Sequence, residues 1–282
     1  MIPLWKLRDK TNPVVISLIP LLLIAAAIFY YATSIEPFQI STSHHRFNLT
    51  NSAGSIKVVI FSDLHAKDAM SMDFLGKVVR EINSHEPDII LILGDFIDYH
   101  EHEIKFLEPL GDLNASYGIY AVLGNHDYGF GWSNKGLADK VEKKLEDLNI
   151  IVLRNENRLI DINGTRFYLV GSDSLWAGEA DLDKAIDGIE GDIPEILLCH
   201  NPDIVLINKS DRFDLILSGH THRGQVNLPL IGPLYVNTKI GGAYTNGFYE
   251  INDRNIYITR GIGGSIRLRL NSIPEIVVME FT

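Results

Sequence analysis

Apolar positions fall along the chain in two regimes. From Thr11 to Ile35 there is no Lys, Arg, Asp or Glu, and the apolar heart of the run, Val14 to Ile35, is 22 residues long. As a helix it spans about 33 Å at ~1.5 Å per residue, against roughly 30 Å of bilayer hydrocarbon. Pro20 lies inside it, which a membrane helix tolerates better than a soluble one. Tyr30 and Tyr31 near its end suit the interfacial aromatic belt. The pattern predicts a transmembrane anchor over 14–35. A cleaved signal peptide, with Ala32, Thr33 and Ser34 as small residues for cleavage, or a buried core helix are the alternatives. Lys6, Arg8 and Lys10 precede the run and Glu36 is the first charge after it. The positive-inside rule then gives a cytoplasmic tail over 1–13, an inner or plasma membrane anchor, and the bulk of the protein outside the cytoplasm. Residues 36–54 are polar without a period and read as a linker.

Beyond residue 54 short aliphatic and β-branched runs each end in a polar cluster. Ile56–Phe61 runs into Asp63 and His65, Asp88–Leu93 into Gly94 and Asp95, and Gly118–Leu123 into Gly124, Asn125, His126 and Asp127. Pro194–Cys199 runs into His200, and Arg212–Leu217 into Gly219 and His220. Runs apolar almost throughout suit strands buried on both faces. Met72–Ser84 carries apolar residues at helical spacing, and Glu103–Leu113 and Leu137–Leu148 do so less cleanly. Residues 223–282 hold short extended runs punctuated by Gly, Pro and Asn, such as Asn255–Thr259 and Glu275–Phe281, which read as antiparallel strands. The pattern predicts an α/β domain over 55–282, with two stacked sheets and helices on the outer faces.

Composition narrows the chemistry. Apolar residues make up 46% and charged residues 22%, which excludes disorder. The net charge of −11 disfavours nucleic-acid binding. Cys199 is the single cysteine, so an intrachain disulfide and a thiolate-cluster metal site are both excluded.

Asp63, Asp95 and Asn125 follow successive strands at intervals of 32 and 30 residues, each about one βαβ unit. Ligands of open α/β sheets bind outside the carboxyl ends of strands, so three loops deliver Asp, Asp and Asn to one rim. His65, His126, His200, His220 and His222 also follow apolar runs, whereas His44, His45, His85, His100 and His102 read as surface residues. Mixed carboxylate, imidazole and amide ligands suit Mn²⁺, Fe or Zn²⁺. Seven candidate ligands over-supply one ion, and two ions sharing a carboxylate is the economical arrangement.

Asp63-x-His65, Gly94-Asp95-x-x-Asp98, Gly124-Asn125-His126-Asp127, the isolated His200 and Gly219-His220-x-His222 occur in the order and spacing of the calcineurin-like metallophosphoesterases. The resemblance covers residues 55–282. The stretches Gly219–Val226, Leu228–Pro233, Arg260–Gly263 and Pro274–Ile276 resemble one bacterial, membrane-linked branch. That branch includes phosphodiesterases and UDP-2,3-diacylglucosamine pyrophosphatases of lipid A synthesis. The resemblance implies a four-layer α/β/β/α sandwich and a dinuclear phosphoester hydrolase. By matching position, Asp63, His65 and His222 hold one divalent ion, and Asn125, His200 and His220 the other. Asp95 bridges them, and a bridging hydroxide attacks phosphorus in line. Mn²⁺ is the expected metal, with Fe or Zn²⁺ as alternatives. His126 faces the leaving group, oriented by Asp127, and Asp98 fixes the ligands beside it.

Blander readings stand beside these. Gly261–Gly264 resembles a glycine-rich phosphate loop, or is a tight turn. Arg223, Arg260, Arg267 and Arg269 are anion contacts, or solvated or ion-paired side chains. The Pro-broken apolar run Val226–Tyr235 is a lid, a surface meeting acyl chains or the bilayer, or ordinary strand and turn packing. The leading function is a membrane-anchored, phosphodiesterase-type hydrolase acting on a phosphoester, with a lipid-linked one in view. The alternative is the UDP-2,3-diacylglucosamine pyrophosphatase. A non-catalytic scaffold on the same fold and a metal-dependent nuclease are the rivals from other classes.

Overall fold

The computed structural model describes residues 13–49, 54–207 and 212–282. The 1–13 tail, with the Lys6, Arg8 and Lys10 on which the orientation rests, thus falls almost wholly outside the described residues. Helix α1 (Pro13–Ser34) carries no Lys, Arg, Asp or Glu. It holds Leu21, Leu22, Leu23 and Phe29 in the open. Among the described residues it is the one helix long and apolar enough to cross a membrane.

The expectation of a plain linker over 36–54 is corrected. Glu36–Phe38 forms a 3₁₀ turn and Ser41–Phe47 forms β1, an edge strand paired in parallel with β14 (Glu275–Phe281). Local pattern could not reveal it. An edge strand half open to solvent need not carry an apolar run, and its partner lies 234 residues away.

Strand β2 (Ile56–Phe61) lies next to β14, followed by β3 (Ile89–Ile92), β4 (Ile119–Ala121) and β5 (Ile151–Val152). The first sheet therefore runs β1-β14-β2-β3-β4-β5. Helix α2 (Ala69–Ser84) joins β2 to β3. It is capped by Asp68, whose carboxylate accepts from Ser71 N at 2.7 Å while Asp68 N donates to Ser71 Oγ. The expected helix over Glu103–Leu113 is a 3₁₀ helix over Glu101–Asp112. Pro109 inside it has no N–H to give an α-helical ladder. Helix α3 (Lys135–Asp147) is capped by Asn134.

The second sheet runs β12 (Gly247–Ile251), β13 (Arg254–Ile258), β9 (Leu215–Ser218), β8 (Glu195–Leu198), β7 (Thr165–Gly171) and β6 (Glu156–Ile162). The C-terminal strands are not uniformly antiparallel, since β13 pairs with β9 in parallel. One core lies between the sheets, where Val58, Ile60, Ile89 and Leu91 meet Phe167, Leu169, Ile196 and Leu217. Val59 and Phe61, pointing the other way, pack under α2 and α3. This period-two alternation with both faces buried explains the unbroken apolar runs. The outer face of the second sheet is covered by α4 (Leu182–Ala185) and α5 (Ile204–Ile207), of one turn each. The expected four-layer α/β/β/α order is the one observed, with a thin fourth layer. A small hairpin, β10 (Asn227–Leu228) with β11 (Gly232–Pro233), stands apart from both sheets.

Candidate metal centre

The carboxyl ends of β2, β3, β8 and β9 and the loop after β4 bring the predicted residues together in two separate trios, with a third, His65, Asp98 and His126, sharing His65 with the first. Asp63, His65 and His222 each place a donor atom within 4.8 Å of the others, as do Asp95, His200 and His220. His222 Nε2 is 3.5 Å from Asp63 Oδ1, and His200 Nε2 is 3.8 Å from the same oxygen. Asp95 Oδ2 faces both trios, 3.5 Å from His65 Nε2 and 3.0 Å from His200 Nε2. Asn125 is fully buried beside them, its Oδ1 accepting from Asn201 Nδ2 at 3.2 Å.

The backbone bends sharply to make this cluster. Asp63, His65, Asp95, His220 and His222 all have positive φ, from 44° to 70°. Such conformations cost about 1–3 kcal/mol each for residues other than Gly and gather at functional sites. Close approach of the chain is also required. A Cβ on Gly124 would overlap Asp95 Oδ1, and one on Gly219 would come within 2.6 Å of Asp63 Oδ2.

The donor set fits divalent cations. His65 Nδ1 donates to Asp98 Oδ1 at 3.1 Å and His200 Nδ1 donates to the Leu93 carbonyl at 2.6 Å. Each ring thereby keeps its Nε2 lone pair for another partner. His65 Nε2, His220 Nε2, His222 Nδ1 and Asn125 Nδ2 are buried atoms without a hydrogen-bond partner. His220 Nδ1 lies 3.3 Å from His200 Nε2. Two ring nitrogens at that distance repel unless a proton or a cation lies against them. Burial pushes His220 and His222 down to about 3, so both rings are neutral. For His200 burial acts in the same direction, but the Asp95 and Asp63 carboxylates outweigh it and raise the ring to about 9. Without a cation its Nε2 therefore carries a proton towards Asp95, and a bound cation would take that proton's place.

The expected partnership of His126 with Asp127 is corrected. The Asp127 carboxylate points away from the ring. It accepts from four backbone amides, those of Asp95, Phe96, Ile97 and Gly124, at 2.8–3.2 Å. It ties the loop after β3 to the loop after β4. Asp98 orients His126 instead, for His126 Nδ1 lies 2.8 Å from the Asp98 carbonyl and 3.4 Å from its Oδ1. Tyr99 covers the ring at 4.5 Å between centroids. Asp98 thus holds both His65 and His126, and Ser265 Oγ also donates to it.

The 261–264 stretch is a turn wrapped on a candidate ligand, with Ile262 N donating to Ser62 O and Gly263 N to Asp63 O. Arg260 pairs with Glu275 at 3.0 Å and Arg267 with Asp68 at 2.7 Å. Arg269 is buried and donates to the carbonyls of Arg260, Gly261, Gly263 and Ser272. These three are internal partners rather than anion contacts. Burial raises the Cys199 thiol to about 12, so it holds no thiolate at neutral pH. Sequence reasoning passed over Asn201, although it directly follows His200. It also passed over Trp176, whose ring lies 4.4 Å from His220 and whose Nε1 donates to Asp203. No motif marks Trp176.

Comparison with known proteins points the same way. Residues 56–224 match the family described as calcineurin-like phosphoesterase. The chain is 32% identical to the uncharacterized metallophosphoesterase YkuE of Bacillus subtilis over 91% of this chain and 90% of that one. It is 31% identical to phosphodiesterase YaeI of Escherichia coli over 89% and 92%. With the UDP-2,3-diacylglucosamine pyrophosphatase LpxG of Chlamydia trachomatis it shares 27% identity over 94% and 96%.

Proposed function

Because the chain belongs to the calcineurin-like phosphoesterase family and is a metal-dependent phosphoric ester hydrolase, we propose that it is a dinuclear phosphodiesterase held at a membrane by α1. Asp63, His65 and His222 hold one divalent ion, Asn125, His200 and His220 the other, and Asp95 serves both. The observation that carries this reading is Asp95 Oδ2, which faces His65 Nε2 and His200 Nε2 at once. Mn²⁺ is the proposed metal, with Fe or Zn²⁺ as alternatives. Bound divalent ions supply positive charge against the phosphoryl oxygens and make water acidic enough to react at neutral pH.

The chain's own residues do the rest. Asp98 fixes the tautomer of His65 and the ring orientation of His126 by accepting from both Nδ1 atoms. Burial favours the neutral His126 ring, but Asp95 and Asp98 outweigh it and raise the ring to about 9. His126 is therefore an imidazolium whose second N–H, at Nε2, donates a hydrogen bond to the leaving oxygen. Asp127 keeps the two ligand-bearing loops in register through its four amide contacts.

A membrane-facing substrate is favoured by α1, and LpxG makes a nucleotide-linked lipid pyrophosphate the second reading. A cytoplasmic N-terminus with the body outside would argue against a cytoplasmic lipid precursor. A periplasm-specific reporter fused to the C-terminus decides between those orientations.

The test is hydrolysis of bis-p-nitrophenyl phosphate, a monoester and UDP-2,3-diacylglucosamine with added Mn²⁺ against a chelator. The diester is expected to turn over with metal and not after chelation. His126→Ala should keep its metal and lose about 10²–10⁴-fold in turnover, whereas Asp95→Asn should lose occupancy of both ions by elemental analysis. A His126→Ala protein lacking metal, or an Asp95→Asn protein keeping two ions, refutes the roles given.

A further inference from the structure

One apolar cluster on the surface takes no part in the metal centre. The β10–β11 hairpin turns at Leu230 and Ile231. Leu230 is fully exposed, and Ile231 and Tyr235 are 73% and 71% exposed, with Leu234 beside them also open. Ile266, 66% exposed, lies at the hairpin's base, where its carbonyl accepts from Gln225 Nε2. Large apolar side chains grouped in this way on a surface mark an interaction site.

Its position identifies the occupant. Asn227 N, at the start of the hairpin, donates to the Leu270 carbonyl at 2.8 Å, and the neighbouring Arg269 N donates to the Ala32 carbonyl in the last turn of α1 at 2.8 Å. The end of the apolar helix and the base of the hairpin therefore hang on consecutive residues of one segment. A bilayer that holds α1 brings its surface to the hairpin. Charge agrees. The chain has 36 acidic residues, yet none lies in 215–249 or 254–274, which carry Arg223, Lys239, Arg254, Arg260, Arg267 and Arg269. Arg260 and Arg267 are paired with Glu275 and Asp68, so what these segments contribute is the lack of carboxylates of their own beside the hairpin that would repel anionic headgroups. An aliphatic tip with a tyrosine behind it also suits the layered chemistry of a membrane interface.

We propose that the β10–β11 hairpin, with Ile266, is a second bilayer contact that dips into an anionic lipid interface beside α1. It rests on α1 being a membrane anchor. Two points of attachment, unlike one, fix the orientation of the body. His220 and His222 lie a few residues before the hairpin, so the contact holds that edge of the metal centre near the headgroups.

The experiment uses the full chain in vesicles of phosphatidylcholine and phosphatidylglycerol. Ile231→Cys, or Asp161→Cys on β6 at the far edge of the second sheet, is labelled with an environment-sensitive fluorophore; Cys199 is buried. Nitroxide-bearing lipids should quench the label at 231 at least about threefold more than the label at 161, as interfacial burial requires. Adding Leu230→Asp to a Leu234→Cys label should bring its quenching to the level seen at 161, with hydrolysis of the soluble diester unchanged. Flotation of the protein with the vesicles reports the anchor separately. If the protein floats and 231 and 161 quench alike, the hairpin contact is overturned and the anchor stands. If it does not float, the anchor fails and the proposal with it. If the label at 231 becomes shielded in detergent as protein concentration rises, the patch belongs to a second copy of the chain and the proposal is overturned.

Discussion

Asp98 and Asp127 stand close to the same histidine, and adjacency in sequence favoured the wrong one. Asp127 follows His126 directly, but its carboxylate turns inward to four amides, while Asp98, from another loop, meets the ring. Spacing puts residues on one rim; it does not say where a side chain points. The two carboxylates should therefore fail differently. Asp98→Asn is expected to weaken metal binding by about 10–100-fold, as loss of a ligand's orienting carboxylate does, with little change in melting temperature of the metal-free protein. Asp127→Asn sets an NH₂ group against backbone amides and is expected to destabilise the fold by about 1–3 kcal/mol. Metal titration and chemical denaturation of both variants check this, and equal metal affinities would undo the assignment. The seven proposed ligands themselves were legible because each follows an apolar strand. Trp176 and Asn201 were not, since an aromatic wall and an amide prop carry no spacing of their own.

At the level of elements, strands flanked by polar clusters announced themselves and β1 did not. The difference is burial. β2 and β3 are covered on both faces, so selection for packing writes an apolar run, while β1 has a solvated face and a partner distant in sequence. The join between β14 and the loop after β13 gives a pH-dependent element. Burial opposes ionisation of Glu275, but the Arg260 guanidinium and backbone amide hold its carboxyl below the usual range. A carboxyl depressed in the folded state contributes stability at pH above the unfolded value of about 4.3, and loses it as pH falls through the folded value. Glu275→Gln should therefore reduce stability at pH 7 and flatten its fall below about pH 4. Melting temperature followed from pH 7 to 3 in both proteins is the measurement, and parallel curves would contradict it.

For the whole molecule, the cations and the fold are linked. Two buried carboxylates, Asp63 and Asp95, and four imidazoles converge where four strand ends and one loop meet. Cations that bind only the folded chain stabilise it by about 2.7 kcal/mol at a hundredfold excess over Kd. Chelation should lower the melting temperature by roughly 5–10 °C for a domain of this size. Restoration by Mn²⁺ and not by Ca²⁺ is the expected pattern, and indifference to chelator would speak against metal-linked stability. The two-sheet architecture was legible from strand patterning; how the first sheet closes was not. Strand β14 lies between β1 and β2, joining the segment just after α1 to the catalytic body. During synthesis, then, the ribosome has to pass residue 275 before the third strand of that trio can exist. Until it arrives, two bare strand edges wait beside the helix, and a nascent chain stalled short of residue 275 is a candidate for aggregation or proteolysis rather than a slower enzyme.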